Sequence, residues 1–116
     1  MLPPRMRMRQ SADFARAVRR GRSAGRPSLI VHLWVDGADA DTGVKVGFIV
    51  SKQVGTAVQR HQVTRRLRHL TAARVDRLPE PSLMVVRARA GAAERTFGEL
   101  GRDLDRALDR LVGDAR

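Results

Sequence analysis

The chain contains no cysteine, which excludes disulfide bonds, thiolate metal ligands and cysteine nucleophiles. It also lacks an uninterrupted apolar run of the length that a membrane span requires, about 18 residues or more. The first ten residues carry arginines with no apolar segment behind them, so we expect no secretory signal and a cytoplasmic location. A length of 116 residues suits one domain with a core of its own.

A catalytic or metal-binding constellation is missing as well. The three histidines have neither the spacing of zinc ligands nor cysteine neighbours, and no serine lies in a nucleophile-elbow motif. Asp36, Asp39 and Asp41 share one turn, where acids are more often solvated than bound to metal, and a divalent-ion site there stays open. A free-standing nuclease is therefore disfavoured.

What the chain has in excess is arginine, and it is concentrated in two segments. The net charge is +11, and only Lys45 and Lys52 of the 23 basic residues are lysines. Residues 1–26 hold eight arginines and one aspartate, and residues 57–78 hold six arginines and one aspartate. Two such segments indicate a polyanionic partner, most often nucleic acid. An anionic membrane is the rival, but residues 57–70 lack the Trp or Phe that usually lies on the apolar face of a membrane-surface helix.

The hydrophobic pattern predicts six elements in the order α-β-β-α-β-α. Helices are expected from Ser11 or Asp13 to Arg20, from Ala57 to about Arg77, and from Phe97 onward after a Thr96–Glu99 capping box. Alternation predicts strands over residues 28–35, 44–51 and 83–88, and residues 22–27 are interpreted as a loop. On the middle helix, Val63, Leu67 and Leu70 share one side, and His61, Thr64, Arg65 and Arg68 lie nearly opposite.

These elements predict an α+β fold, a two-layer sandwich with the helices on one face of the sheet. The first two strands should pair as a hairpin, because a short polar turn over residues 36–43 joins them. The other face of the sheet, with His32 and Trp34, is expected to stay open. Residues 1–10 are interpreted as a flexible basic tail and residues 11–113 as a single domain.

The stretch "VKVGFIVSKQVGTAVQRHQVTRRLRHL" resembles the central block of the bacterial ribonuclease P protein subunit, in an actinobacterial-like variant. The segments "SADFARAVRRGRS" and "SLMVVRARAGAAERTFGELGRDLDRAL" resemble its first helix and its last strand, loop and helix, so the resemblance covers about residue 6 to residue 112. The matching residues of the central block are Val46, Gly47, Ser51, Lys52, Val54, Gly55, Ala57, Val58, Arg60, Arg65, Arg66 and Arg68.

The resemblance implies a ribosomal-protein-S5-domain-2-like fold with a left-handed strand–helix–strand crossover, against the usual rule for parallel strands. It also implies that a large RNA cleaves the 5′ leader from precursor tRNA with Mg²⁺, while the protein is a cofactor that is inactive alone. Ribonuclease P RNA and precursor tRNA are then the partners, and no membrane is expected. We predict no obligate protein partner and no protein-only metal site, and metal binding by the protein itself stays open. The alternative is a non-catalytic structural RNA-binding protein of the ribosomal or ribosome-assembly type.

Two groups of site residues follow from the resemblance. Contact with the catalytic RNA is assigned to Lys52, Arg60, His61, Arg65, Arg66 and Arg68, and a cleft for the leader is assigned to Phe14, Val18, His32 and Lys45. The chain departs from the family where His61 and Gln62 replace Asn-Arg, Thr64 replaces Lys, and Val18 and His32 replace aromatic residues. An imidazole at position 32 keeps a flat face for stacking, and we expect it to gain charge near neutral pH.

Overall fold

Three helices and a four-stranded sheet form the part of the chain that the computed structural model describes, residues 2–35 and 43–113. The α+β fold predicted from the sequence is confirmed. The acids of the turn, Asp36, Asp39 and Asp41, lie outside the described residues. The elements are α1 (Ser11–Arg20), β1 (Arg22–Gly25), β2 (Leu29–Val35), β3 (Val44–Ile49), α2 (Ala57–Ala72), β4 (Ser82–Ala88) and α3 (Phe97–Val112).

The strand order in the sheet is β1-β2-β4-β3, so the predicted hairpin between β2 and β3 is wrong. β4 lies between them, antiparallel to β2 and parallel to β3. The reason is burial, because six of the seven residues of β4 are buried, which only a central strand covered on both faces achieves. A polar turn predicts a reversal of the chain, but it does not predict which strand becomes the neighbour.

The loop that the sequence predicts over residues 22–27 is wrong, because Arg22–Gly25 form the first strand, β1. It pairs antiparallel with β2, with Arg22 opposite Leu33 and Gly25 opposite Ile30. Its residues have no apolar alternation, since only Ala24 is buried. This strand is therefore held by backbone hydrogen bonds to the edge of β2, and the pattern of its side chains does not predict it.

The helices cover both faces of the sheet, which corrects the expectation of one open face. α2 and α3 pack on the face that carries Val31, Val46 and Met84, and this is the larger core. α1 packs on the opposite face, where a smaller cluster contains Ala17, Leu83 and Val85 with Phe14, Val18 and Trp34 at its border. The face of β2 that carries His32 and Trp34 thus lies under α1.

Residues 2–8 are packed against the domain, which corrects the interpretation of residues 1–10 as a flexible tail. Leu2 is 1% exposed in the larger core, and Met8 is 7% exposed beside α1. The amide of Met8 donates to the carbonyl of Val46 over 2.8 Å, so the segment lies along the free edge of β3. Three apolar side chains, Leu2, Met6 and Met8, separated by two prolines and two arginines, form too weak a pattern to predict this packing.

The crossover from β3 through α2 to β4 is present, and its left-handedness stays a prediction from the family. α2 ends at Ala72, five residues before the predicted end, and a turn of 3₁₀ helix follows at Val75–Arg77. Both long helices begin with a capping box, Thr56 with Gln59 and Thr96 with Glu99. These boxes satisfy amide groups that the first turn of a helix leaves without partners.

Candidate nucleic-acid interface

The exposed side of α2 carries a row of basic and polar side chains. Val63, Leu67 and Leu70 face the core and are at most 4% exposed, which fixes the rotation of the helix. His61 and Arg65 are exposed on the opposite side, as the helical spacing predicts. Arg60, Arg66 and Arg68 lie at its borders and are partly buried.

These arginines have no carboxylate beside them. Across residues 2–35 and 43–113, the salt bridges from arginine involve Arg16, Arg26, Arg74 and Arg77, and not Arg60, Arg65, Arg66 or Arg68. The acids of α3 neutralise the C-terminal end of the basic segment, where Arg74 Nη2 lies 3.1 Å from Asp105 Oδ2. The hydrogen bond from Arg74 keeps the pKa of the Asp105 carboxyl below its usual value. The uncompensated positive charge of residues 57–78 is therefore confined to α2.

A short loop delivers Lys52 to the beginning of this row. It forms a 3₁₀ turn over Lys52–Val54 in which Lys52 is exposed and Val54 is buried. Gly55 follows with φ of +154°, and a Cβ at this position would collide with the side-chain amide of Gln59. That amide accepts from the backbone N–H of Thr56 over 2.8 Å, so a glycine at 55 is needed for the capping box that starts α2.

A second group of predicted residues lies between α1 and the sheet. The ring of Phe14 lies against Gly47 of β3, where no space remains for a Cβ atom. Val18 packs on the same small cluster as Phe14. Lys45, in β3, is paired with Leu83 of the neighbouring strand β4. All three side chains are partly buried. α1 therefore crosses the sheet with Phe14 at its β3 side.

His32 is the most constrained residue of this cleft. It lies opposite Ser23 in β1 and Val85 in β4, and neither ring nitrogen has a hydrogen-bond partner among the described residues. Burial and, to a smaller extent, the positive charge of Arg87 lower the pKa of His32 from its usual value of 6.5. The imidazole is therefore neutral at pH 7 in the free protein, which corrects the expectation that it charges readily near neutrality.

Arg87 and Trp34 are two further side chains of this cleft that the sequence analysis did not assign. Arg87 lies between Ile30 and Ile49 in the register, on the face of Leu83 and Val85. The guanidinium of Arg20, on α1, lies 5.6 Å from the centre of the Trp34 ring. The alternation of β4 already places residue 87 on the α1 face, and this signal was available in the sequence.

The family of the chain follows from comparison with known proteins. The model of the family described as Ribonuclease P matches residues 2–112. The chain belongs to the ribonuclease P family. The resemblance inferred from the central block is thereby confirmed, and the match includes the N-terminal residues that pack on β3.

Relatives in this family are similar over almost their whole length. A protein from Streptomyces bikiniensis named ribonuclease P protein component is 52% identical over 119 residues, covering 97% of both chains. One of the same name from Streptomyces griseus is 54% identical, also covering 97% of both chains. The solved structure of the Staphylococcus aureus RNase P protein has a TM-score of 0.80 at 24% identity, covering 94% of this chain and 98% of the other, and shows the same fold.

The two predicted groups of ribonuclease P site residues lie on different surfaces. α1 and α2 pack on opposite faces of the sheet, so the α2 row and the α1 cleft are separated by β3 and β4. Among the described residues, no group of three or more His, Asp or Glu side chains is placed to hold a metal ion. In the same residues, no helix combines the length and hydropathy that crossing a membrane requires.

Proposed function

We propose that the chain is the protein component of a ribonuclease P that binds the catalytic RNA and the 5′ leader of precursor tRNA. In this role it promotes the Mg²⁺-dependent endonucleolytic removal of the leader. Membership of the ribonuclease P family supports the role in the enzyme. The observation that carries the RNA contact is the row of arginines on α2 that no carboxylate of residues 2–35 and 43–113 neutralises.

The α2 row binds the catalytic RNA in this proposal. Lys52, Arg60, His61, Arg65, Arg66 and Arg68 contribute to it, and arginine forks match phosphate oxygens in pairs. Each phosphate that they neutralise releases condensed counterions, so binding weakens as salt rises. His61 and Gln62 stand where the family has Asn-Arg, so the arginine of that pair is absent here and Arg65 and Arg68 make the main phosphate contacts.

The α1 cleft binds the leader as a single strand. Phe14 and His32 offer flat faces to bases, Val18 gives apolar contact, and Lys45 and Arg87 supply positive charge on the same face of the sheet. A basic groove with a few stacking side chains suits single-stranded nucleic acid because every base has a face to stack. The neutral state of His32 favours stacking over contact with a phosphate.

The chemistry belongs to the RNA and its Mg²⁺ in this proposal, and the protein supplies binding and charge. Catalytic RNA and precursor tRNA are both polyanions, so they repel each other at low ionic strength. Arginines on α2 and in the cleft lower this repulsion, which is otherwise the task of additional Mg²⁺. The protein is therefore expected to lower the Mg²⁺ concentration that cleavage requires.

Cleavage of precursor tRNA by the purified protein, with and without a bacterial ribonuclease P RNA, tests the proposal. We expect no cleavage by the protein alone at any Mg²⁺ concentration, and a lower Mg²⁺ requirement for the RNA when the protein is added. Cleavage by RNA-free protein that survives stringent purification would contradict it. The RNA that co-purifies with the protein distinguishes this proposal from the alternative. One species of a few hundred nucleotides supports a ribonuclease P component, whereas ribosomal RNA indicates a ribosomal or ribosome-assembly protein.

A further inference from the structure

An exposed aromatic ring, that of Phe97, lies at the end of the α2 row and is not part of the core beneath α3. Phe97 has the helical spacing of the core residues Leu100, Leu104 and Leu108, yet it is 43% exposed while they are fully buried. It is the first residue of α3, beyond the edge of the core, and its ring projects over the last turn of α2. There its centre lies 5.7 Å from that of the His69 ring, with the two planes at 58°.

This ring borders a cavity of about 450 Å³ between α2 and the start of α3. Such a volume lies within the range of ligand sites, roughly 300–1,000 Å³. No lining residue is acidic, and half of them are arginines that form no salt bridge with any described residue. The lining consists of Gln62, Arg65, Arg66, Arg68, His69 and Phe97.

The walls of the cavity are fixed before any partner arrives. The Thr96–Glu99 capping box holds the first turn of α3, with Glu99 Oε1 accepting from the Thr96 amide over 2.8 Å. Arg66 Nη1 donates to the carbonyl of Arg95 over 3.2 Å, which ties α2 to the segment in front of α3. Phe97 is therefore presented on a rigid turn, while the guanidinium groups of Arg65 and Arg68 remain available.

We propose that this cavity, the Phe97 pocket, receives one unpaired nucleotide of the catalytic RNA. The base stacks on the Phe97 ring, and its flanking phosphates contact Arg65 and Arg68. Charge complementarity decides the occupant, because three arginines around an exposed ring suit an aromatic base joined to phosphates. Arg65 also lines two cavities farther along α2, so the pocket continues the surface on which the RNA docks.

This inference rests on the proposed function. It adds a contact to the catalytic RNA that does not depend on which base is bound. A duplex cannot enter the pocket with its bases stacked on each other, so the pocket selects an RNA that presents an unstacked nucleotide. Docking through phosphates alone would accept any duplex of suitable shape. The pocket therefore helps the protein to distinguish its own RNA from other structured RNAs.

Affinity for a bacterial ribonuclease P RNA, measured for the wild type, Phe97→Leu and Phe97→Trp over a range of salt concentrations, tests this inference. Leucine keeps an apolar side chain at the site but cannot stack, so Phe97→Leu should weaken binding about tenfold, within the range known for base stacking. The slope against salt should not change, because no charge is removed. Val35→Ala is the control, since Val35 is 40% exposed on β2 and outside the pocket, and its affinity should equal that of the wild type.

Two further readouts identify the bound group. Chemical probing should show one base of the RNA that is protected by the wild type and reactive with Phe97→Leu, while backbone protection elsewhere is kept. The fluorescence of Phe97→Trp, corrected for Trp34 with the wild type, should be quenched by the catalytic RNA and unaffected by a plain RNA duplex.

Several outcomes overturn the inference. Equal affinities of wild type and Phe97→Leu would show that the ring only packs on His69. Unchanged affinity for the catalytic RNA with altered preference for precursor over mature tRNA would assign the pocket to the substrate. If the wild type itself fails to bind the catalytic RNA in a salt-dependent manner, the proposed function fails, and this result is distinct from a failure of Phe97 alone.

Discussion

At the scale of single residues, the arginines differ in whether a carboxylate lies beside them. Arg77 Nη2 lies 2.7 Å from Asp109, and Arg26 lies within salt-bridge distance of Asp103, so α3 neutralises arginines from two other segments. Arg65 and Arg68 have no such partner in the part of the chain that the structure describes. Net charge alone does not separate these two kinds, although only the second is available to a polyanion.

Arg65→Ala and Arg68→Ala should each weaken binding to the catalytic RNA. Each removes one phosphate contact, so the slope of log K against log salt should become shallower by about one unit. Arg102→Ala is the matched control, because Arg102 is exposed on α3 and carries the same charge away from α2. Binding titrations at several salt concentrations measure these slopes. Equal effects from all three substitutions would mean that only net charge matters.

His32 should make the stability of the free protein depend on pH. Its folded-state pKa lies below the usual 6.5 because of burial and Arg87, so the unfolded chain takes up the proton first as the pH falls. The contribution of His32 to the free energy of unfolding is therefore at its maximum above about pH 6.5, and it is lost as the pH falls through the folded-state pKa. Denaturant titrations between pH 7.5 and 5 should show this loss in the wild type and a smaller one in His32→Tyr.

Substitutions of His32 also test whether it binds the leader. His32→Ala should weaken binding of precursor tRNA to the assembled enzyme and leave mature tRNA binding nearly unchanged, whereas His32→Tyr should restore it through stacking. If His32→Ala lowers both affinities equally, or neither, His32 is a structural residue and the leader binds elsewhere.

At the scale of elements, the position of α1 depends on one close approach to the sheet. The Phe14 ring lies directly on Gly47 of β3, and Met8 closes the same space from the N-terminal segment, 3.1 Å from where a Cβ at Gly47 would lie. A glycine in the middle of a strand is unfavourable by itself, so its presence here marks a place where another element must come close. The shape of the cleft and the position of α1 on the sheet therefore both depend on this contact.

Gly47→Ala should destabilise the fold by about 1–3 kcal/mol, because the added methyl group displaces Phe14 or β3. Affinity for precursor tRNA should fall with it, since the displaced ring lines the cleft. Gly98→Ala is the control, because a Cβ there would meet Thr96 Oγ1 at 3.9 Å, an ordinary contact distance. That substitution, in the first turn of α3, should be neutral or stabilising by up to about 1 kcal/mol. Thermal unfolding of both variants measures the two changes in stability. A Gly47→Ala variant with wild-type stability and wild-type affinity for precursor tRNA would contradict the role given to this contact.

At the scale of the whole molecule, one sheet separates the α2 row from the α1 cleft. α2 faces one way with its row of arginines, and α1 faces the other way with the cleft. The N-terminal segment joins both sides, because Leu2 lies in the larger core and Met8 in the smaller one. The packed part of the domain therefore includes residues 2–8, and the two surfaces are held by a single folded unit.

Leu2→Ala should lower the free energy of unfolding by about 2–4 kcal/mol, as expected for a leucine that leaves a cavity in a core. Arg5→Ala, an exposed change three residues later, should have almost no effect on stability. Urea titrations of the two variants measure the difference. A stability equal to that of the wild type in Leu2→Ala would restore the interpretation of residues 1–10 as a free tail.

The sequence by itself determined the family, the α+β class, the three helices and the direction of the basic face of α2. These properties depend on local patterns, such as the spacing of Val63, Leu67 and Leu70 or the Thr56 and Thr96 capping boxes, which act within one or two helical turns. The motif from Val46 to Arg68 is similarly continuous in the chain, so it is visible without any structure.

Only the tertiary structure decided which strands are neighbours, which face of the sheet α1 covers, which arginines are neutralised, and that Phe97 is exposed. Each of these depends on contacts between residues far apart in the chain, such as Arg74 with Asp105 or Phe14 with Gly47. Periodicity states which side of an element is apolar, but not which other element covers it. The pairing of β2 with β4, the neutral state of His32 and the Phe97 pocket follow from that choice of partners, and local pattern does not determine it.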